Sequence, residues 1–510
     1  MIPFHRSSGA GWYQKKLLLL TVSLGLTFSI GVSSVSYVMP AITCEFQVTK
    51  YQQGLLYSAI YFGMVPFGAV WGAASDIFGR RITLIITAGI AGTFDLLAAF
   101  STGYWMLFAC KFLAGCAVSG VHLTYYIYLS EFVDAENKDA MTMLTGAAAA
   151  FGYFILPAVG AVLIPSNFKI PLIPDTLVFK SWNLFLAISA LAPIIGFIVC
   201  VFFITETPKY LLVKNRKEES LKILQEIYST NTKQPKDTFP VKNLSIDEPL
   251  ENKEDTSKKG SRIISYIRPL FQYPNFIPAM MSFAAQFITM GSYNTVRQHI
   301  PTLFALALGL GQKPSNATSE RSDPQSVPFC VLFESQALFS AKPVCDQNEV
   351  QLDYKLFLSS TLVGFVIFVS FFFYKYAVVK AGKVRTFLIS HLVSAAVMSY
   401  FPYSNAVLAV TIMTIYSLCM QNCLTIALGL MIGRVPASMR GLTVSLIMVI
   451  GRIGVILGNQ VLPVLTNVSC YVGFWTIACI NLMAVPIMFV YSRQPNPYED
   501  AVKHVSAKTK

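Results

Sequence analysis

Chemistry in this chain would fall to a few charged or titratable side chains set inside apolar runs. A charge within a membrane span costs about 2.5–3.5 kcal/mol on insertion scales, so it normally faces the protein interior and has a partner or a task. Asp95 and Lys111 lie on consecutive runs, each roughly seven residues from the same boundary, hence roughly 10 Å deep at about 1.5 Å of rise per residue. Antiparallel neighbours at equal depth can pair. The pair is either exchangeable, broken by a solute or a proton, or a permanent mutual neutralisation. Arg297 and His299 fall in GSYNTVRQHIP, where Asn294 and Gln298 share a helical face. Arg297 can hold an anionic group and His299 can titrate near neutral pH. Alternatively the span ends before them and they lie in an open vestibule. Arg452 stands about ten residues into its run, near mid-bilayer by helical rise. Lone His122 and His391 read as core histidines. Tyr125 and Tyr126 either line a cavity or only pack.

A second constellation sits between the runs Tyr57–Trp71 and Ile82–Phe100. Gly72, Asp76, Gly79, Arg80 and Arg81 fit G-x-x-x-D-x-x-G-R-R. Each glycine lets the backbone turn or helices approach. Asp76 can cap the following helix or pair with an arginine. Arg80 and Arg81 stay charged at a membrane surface and mark it as cytoplasmic. The sequence offers no phosphate-binding glycine loop, metal-ligand cluster or catalytic triad. No catalytic residue, metal or cofactor is therefore expected, and ATP-driven or enzymatic chemistry lacks support.

These residues must be positioned by membrane helices. The chain has 510 residues, 54% hydrophobic and only 13% charged, against about 25% charged in a soluble protein. A span needs about 20 apolar residues. Twelve such runs are read at Leu17–Pro40, Gly54–Trp71, Ile82–Ser101, Trp105–Leu129, Met143–Ile164, Trp182–Ile204, Phe276–Leu308, Leu356–Phe373, Thr386–Tyr400, Asn405–Ile432, Leu442–Leu465 and Cys470–Val490. The expected fold is an all-α membrane protein of twelve transmembrane helices in two pseudo-symmetric six-helix halves. Its divisions are a cytoplasmic N-terminus at 1–16, a first half at 17–204, a cytoplasmic linker at 205–270, a second half at 271–491 with an outer loop at 311–355, and a cytoplasmic tail at 492–510. In the linker, Leu221, Leu224, Ile227 and Tyr228 form a helical stripe, with Glu218 and Lys222 spaced to pair. A flexible stretch is expected around Asn243–Lys259. No cleavable signal peptide is evident.

Lysine and arginine crowd alternate short loops, which sets both termini inside and argues against nucleic acid as the reason for the net charge of +13. Most of the ten cysteines lie in spans and act as small apolar residues. Cys330 and Cys345 share the outer loop, where a disulfide is expected. Asn316-Ala-Thr318 in that loop is a glycosylation acceptor. Asn467-Val-Ser469 is also outside but close to the membrane, and Asn243-Leu-Ser245 is inside.

The G-x-x-x-D-x-x-G-R-R stretch resembles the signature between spans 2 and 3 of the major facilitator superfamily. That resemblance implies a charge latch on the cytoplasmic gate. Lys375–Arg385 occupies the matching place in the second half; Gly382 and Lys383 remain there, but Val379 stands where Asp would. Glu131 in Ser130–Glu131–Phe132, TETPKYLL with Glu206, PASMRG with Arg440, and GRIGVILGN with Arg452 resemble elements of the sugar-porter-like and synaptic vesicle glycoprotein 2 branch. The likeness implies alternating access, an organic ion or sugar-like solute, and proton coupling in some relatives. It suggests a structural or gating role for Arg452 before solute contact. The chain also departs from the pattern. SIGVSSVSYVMP in span 1 has no acid, Lys111 replaces an arginine, and Asn137–Lys138–Asp139 stands where an R-G turn is expected. The outer loop is shorter than the lumenal domain of the synaptic vesicle proteins.

The reading is a secondary active or facilitative transporter of a small organic solute, with a proton as an optional partner. It is expected to be a multi-pass monomer in the lipid bilayer of the plasma or a vesicle membrane. The rival is a membrane protein that has kept the fold for trafficking or binding and lost transport.

Overall fold

The computed structural model describes residues 12–132, 138–166, 168–173, 177–241, 276–307, 327–339, 353–432 and 440–494. Its spanning segments are helical because a bilayer offers no water to an open backbone, so each segment must satisfy its own N–H and C=O groups. The first half runs through α1 (Trp12–Glu45), α2 (Lys50–Phe78), α3 (Arg80–Ala98), α4 (Tyr104–Glu131) and α5 (Lys138–Leu163). Its sixth span is broken at Ala190 into α6 (Ser181–Ser189) and α7 (Leu191–Phe203). Two short helices follow, α8 (Pro208–Val213) and α9 (Lys217–Thr232). The second half comprises α10 (Phe276–Ala307), short α11 (Phe329–Phe339), α12 (Tyr354–Ala381), α13 (Lys383–Tyr400), α14 (Ala406–Ile432), α15 (Arg440–Val468) and α16 (Cys470–Arg493).

Among the described residues, eleven segments are long and apolar enough to cross a membrane. The remaining expected span is α10. It is as long as the others, but it carries Gln286, Asn294, Arg297, Gln298 and His299, all buried within the protein. Its polarity thus faces protein, where hydrogen bonds can satisfy it. Because α10 continues to Ala307, Arg297 and His299 do not lie in an open vestibule.

Several boundaries differ from the sequence reading. Helix α1 continues through Pro40 to Glu45, so Cys44 and Glu45 end a helix. The expected loop after span 2 shrinks to Gly79, with φ 99° and ψ 160°. Gly382 makes the same turn between α12 and α13, with φ 85° and ψ 151°. The two halves therefore share a backbone device at equivalent places. Before the sixth span lies an unforeseen antiparallel hairpin, β1 (Lys169–Ile173) and β2 (Leu177–Lys180), in which Lys169 faces Lys180. Lys180 also pairs with Glu45 at 3.1 Å, and the Trp182 indole donates to Glu45 at 2.7 Å.

The apolar core is uneven along the molecule. At the hairpin end one cluster draws on both halves, joining Val38, Leu56 and Tyr57 to Tyr293, Phe357 and Met413. At the Gly79 end the halves have separate clusters. One joins Leu20, Leu84, Tyr128 and Ile227 of the first half and α9. The buried members of two others, among them Ile288, Phe387, Ile426, Ala279 and Phe283, belong to the second half. Only partly buried side chains such as Met143 and Tyr126 lean across to these two from the first half. A further cluster joins Ile60, Tyr61 and Met64 to Met290 and Val455 across the halves.

The linker stripe forms α9, whose Ile227 packs against the first half. The pair expected between Glu218 and Lys222 is replaced by Arg216–Glu219 at 2.6 Å. The stretch 242–275 lies outside the described residues. The disulfide expected between Cys330 and Cys345 is corrected: Cys330 bonds to Cys470, 140 residues away. The cause is tertiary. Helix α11 folds back over the hairpin end, where Phe329 packs on Phe401 and Phe474, and so sets Cys330 against the first residue of α16. Cys345 and Asn316 lie outside the described residues. Cys44 is also disulfide-bonded.

Candidate functional site

Equal depth does bring Asp95 and Lys111 together. Lys111 Nζ lies 2.6 Å from Asp95 Oδ1, and both side chains are buried. The ammonium also donates to Ser34 Oγ on α1 at 2.9 Å. The pair thus ties α1, α3 and α4 of one half together.

A polar seam runs between the halves at mid-depth and toward the hairpin end. Arg297 on α10 reaches across to α1, where Nη1 donates to Ser33 Oγ. Its Nη2 donates to Asn294 Oδ1 at 3.1 Å, and that oxygen also accepts from the Tyr61 hydroxyl of α2 at 3.3 Å. The guanidinium lies 4.4 Å over the Tyr153 ring of α5 and 6.0 Å from the Tyr293 ring. Its Nε is buried and has no hydrogen-bond partner among the described residues. One turn on, Gln298 donates to the Val32 carbonyl at 3.4 Å and accepts from Asn459 at 2.7 Å. His299 sits edge-on to Tyr57 at 4.8 Å between ring centroids. Tyr57 and Gln53 both reach Thr302, at 3.2 and 3.3 Å. Asn294 and Gln298 therefore share a face, as their spacing requires, and that face is turned to the other half.

Arg452 on α15 also crosses the interface. It is buried and donates to the Met64 carbonyl of α2 at 3.2 Å. Among the described residues, no carboxylate lies within 4 Å of Arg297 or Arg452. Tyr125 belongs to the core of the first half. Tyr126 accepts from Thr145 at 2.8 Å. His122 stacks on Phe28 at 4.0 Å, and His391 meets Thr289 at 3.1 Å.

The Gly79 junction gathers charges from three places in the sequence. Arg80 pairs with Asp76 at 3.0 Å and with Glu131 at 3.2 Å. Of the two options open to Asp76, the structure has pairing; the N-terminus of α3 is met instead by Glu206, which accepts from the backbone N–H of Arg80 at 3.0 Å and of Arg81 at 3.2 Å. Burial raises the Glu206 carboxyl above its ordinary range, against the lowering effect of those N–H groups, that of Thr207 and the Arg80 charge. Arg81 donates to the Val201 carbonyl at 2.9 Å. A Cβ at Gly79 would collide with the Glu206 carboxylate, and the positive φ independently demands glycine. A Cβ at Gly72 would lie 3.2 Å from Leu123. Among the described residues nothing lies within 4 Å of that position at Gly382, so the same backbone turn has no described carboxylate beneath it. Arg440 begins α15, and its side chain lies outside the described residues.

Span 1 looked bare because only acids were sought in it. Its serines are the partners of the buried cations, Ser33 to Arg297 and Ser34 to Lys111. The run of small hydroxyls in SIGVSSVSYVMP was the available signal. Tyr61 and Tyr153 were missed because an aromatic in a span usually only packs.

Comparison with known proteins agrees with this architecture. The chain is 27% identical to mouse Synaptic vesicle glycoprotein 2C over 276 residues, covering 51% of this chain and 37% of that protein. It is 25% identical to Arabidopsis thaliana Organic cation/carnitine transporter 4 over 247 residues, covering 48% of this chain and 43% of that one. The chain thus matches well under two thirds of the length of either relative. The fold is similar to the xylose transporter XylE from E. coli in a partially occluded inward open conformation, with a TM-score of 0.64, 14% identity, and coverage of 95% of this chain and 100% of that one. At that identity only the fold is shared. The pattern of one family, described as Major Facilitator Superfamily, matches residues 19–320. With more than half its length so matched and two six-helix halves that repeat a glycine turn, the chain belongs to the Major Facilitator Superfamily.

Proposed function

We propose that this chain carries a small organic solute, an organic ion or a sugar-like molecule, across its membrane by alternating access between its halves. The observation that carries this reading is the uneven core. The halves share two apolar clusters, one at the hairpin end and one around Tyr61 and Met290, and keep separate clusters at the Gly79 end. Halves built this way can rock about the middle while each keeps its own packing. The polar seam of Tyr61, Asn294, Arg297 and Gln298 lies at that middle, where a solute would be held. The Gly79 junction is the proposed latch of the parted end, joining α2, α4 and the α7–α8 turn.

The finer parts of the reading are proposals too. The basic residues beside Gly79 and Gly382 support a cytoplasmic Gly79 end, with both termini there, and a division at 1–16, 17–204, 205–270, 271–491 and 492–510. The name of the mouse relative supports a vesicle membrane, with the plasma membrane as the alternative, and that of the plant relative supports an organic solute. The fold shared with XylE leaves a proton as an optional partner. The family relationship argues for a carrier rather than an enzyme, and the chain is taken to act as a monomer.

The test is uptake by the purified full chain in liposomes. A mixed panel of organic anions, organic cations and sugars is offered with and without a proton gradient, beside an Asp95→Asn control. Saturable uptake of a panel member supports the reading. No uptake by folded protein favours the rival, a trafficking or binding protein on the same fold, to which the open space beside Gly382 lends its one observation.

A further inference from the structure

We propose that the solute is an organic anion, a carboxylate on a flat unsaturated body, and that Arg297 is its anchor. This rests on the transport reading and adds the class of solute. The name of the plant relative would suggest a cation; the charges in the seam argue the opposite.

Arg297 is buried and always ionised. A lone charge at that depth is costly, so a counter-charge is needed. The chain does not supply one among its described residues. Asp95, a buried carboxylate of the first half, has its Oδ1 held by Lys111 at 2.6 Å. What Arg297 has instead are neutral oxygens, Ser33 Oγ and Asn294 Oδ1, and a buried Nε with no partner among the described residues. Neutral acceptors are weaker than a carboxylate for a guanidinium and can be displaced by one, which the planar fork takes up in two parallel bonds. Rings stand around the fork. Tyr153 lies 4.4 Å from it, Tyr293 6.0 Å, and Tyr61 contributes a hydroxyl through Asn294. Such walls suit a flat apolar body with one charged end.

The second buried cation sharpens the choice. Arg452 contacts the carbonyl of Met64, three residues from Tyr61 on α2, and Tyr61 shares the Asn294 oxygen with Arg297, so both buried cations border the same stretch of that helix. An organic cation entering the seam meets like charge twice, and like-charge contact excludes wrong ligands. A sugar would leave the charge of Arg297 unanswered.

The test uses purified full-length protein and measures both binding and uptake. Benzoate, cyclohexanecarboxylate, tetraethylammonium and glucose are compared by ligand-induced shift of the melting temperature and by uptake in liposomes. The expected order is benzoate first and cyclohexanecarboxylate second, with no shift from tetraethylammonium or glucose. Arg297→Gln should weaken benzoate at least tenfold. Arg297→Lys keeps the charge without the fork and should fall between, and it serves if the glutamine variant does not fold. Preference for tetraethylammonium or glucose, or benzoate binding unchanged in either variant, overturns the anion site and leaves transport standing. Benzoate binding lost in Arg297→Gln but never accompanied by uptake upholds the site and overturns the transport reading on which it rests.

Discussion

Alanine placed at Gly79 and at Gly382, one at a time, separates backbone strain from the contacts of the Gly79 junction. Both residues sit in a region of φ and ψ that glycine alone uses freely, at 99° and 160° and at 85° and 151°. Alanine there costs about 1–3 kcal/mol at either site. At Gly382 the new methyl meets nothing within 4 Å among the described residues, so strain is the cost expected there. At Gly79 it strikes the Glu206 carboxylate and comes within 3.2 Å of the Tyr210 ring. Glu206 must move and give up its hold on the Arg80 and Arg81 N–H groups. A hydrogen bond to a charged group is worth about 1.5–3 kcal/mol, so Gly79→Ala should lose at least that much beyond Gly382→Ala. The assay is thermal unfolding of each variant in detergent, followed by tryptophan fluorescence. Gly79→Ala should melt well below Gly382→Ala. Equal melting temperatures, or a lower one for Gly382→Ala, would refute the account of the junction.

Three further outcomes are expected. Lys111→Met leaves Asp95 buried and uncompensated, a loss of about 3–5 kcal/mol, whereas Asp95→Leu with Lys111→Met together should recover most of it; a double variant no better than the single would contradict a mutual neutralisation. Cys330→Ser and Cys470→Ser should each lower the melting temperature, by a bridge worth about 2–4 kcal/mol, and the double should be no worse; non-reducing peptide mapping must find Cys330 joined to Cys470. Burial makes folded Glu206 keep its proton to higher pH than in the unfolded chain. The stability this lends is complete below its ordinary value of 4.5 and is lost as pH rises through the raised one. Glu206→Gln cannot titrate and should lack that fall, so parallel pH profiles for the two proteins would count against it.

The spans were legible because membrane helices advertise themselves as long apolar runs, and the Asp95–Lys111 pair because equal depth on adjacent antiparallel helices follows from counting residues. Arg297 was legible as a candidate only, since one sequence cannot tell a span that ends from a span that turns its polar face to a partner. The parts that escaped depend on distant chain segments. Cys330 finds Cys470 through the fold of α11, and proximity within one loop pointed to Cys345 instead. Glu206 was noted as a charge at the end of span 6, but its seat under Gly79 depends on the turn from α7 to α8. Ser33 and Ser34 look like spacing residues in an apolar run until the cations they meet are known.

The central claim is that the closed hairpin end must open for a solute to pass. Gln53 and Thr302 come from opposite halves and touch there, at 3.3 Å between side-chain atoms. The most direct measurement is uptake in liposomes by Gln53→Cys/Thr302→Cys protein, using whichever panel solute the unaltered chain takes up. A cleavable thiol cross-linker joins the pair, with the single variants and the unaltered chain treated alike. The account predicts that cross-linking stops uptake in the double variant alone and that cleavage restores it. Full uptake by fully cross-linked protein would contradict it.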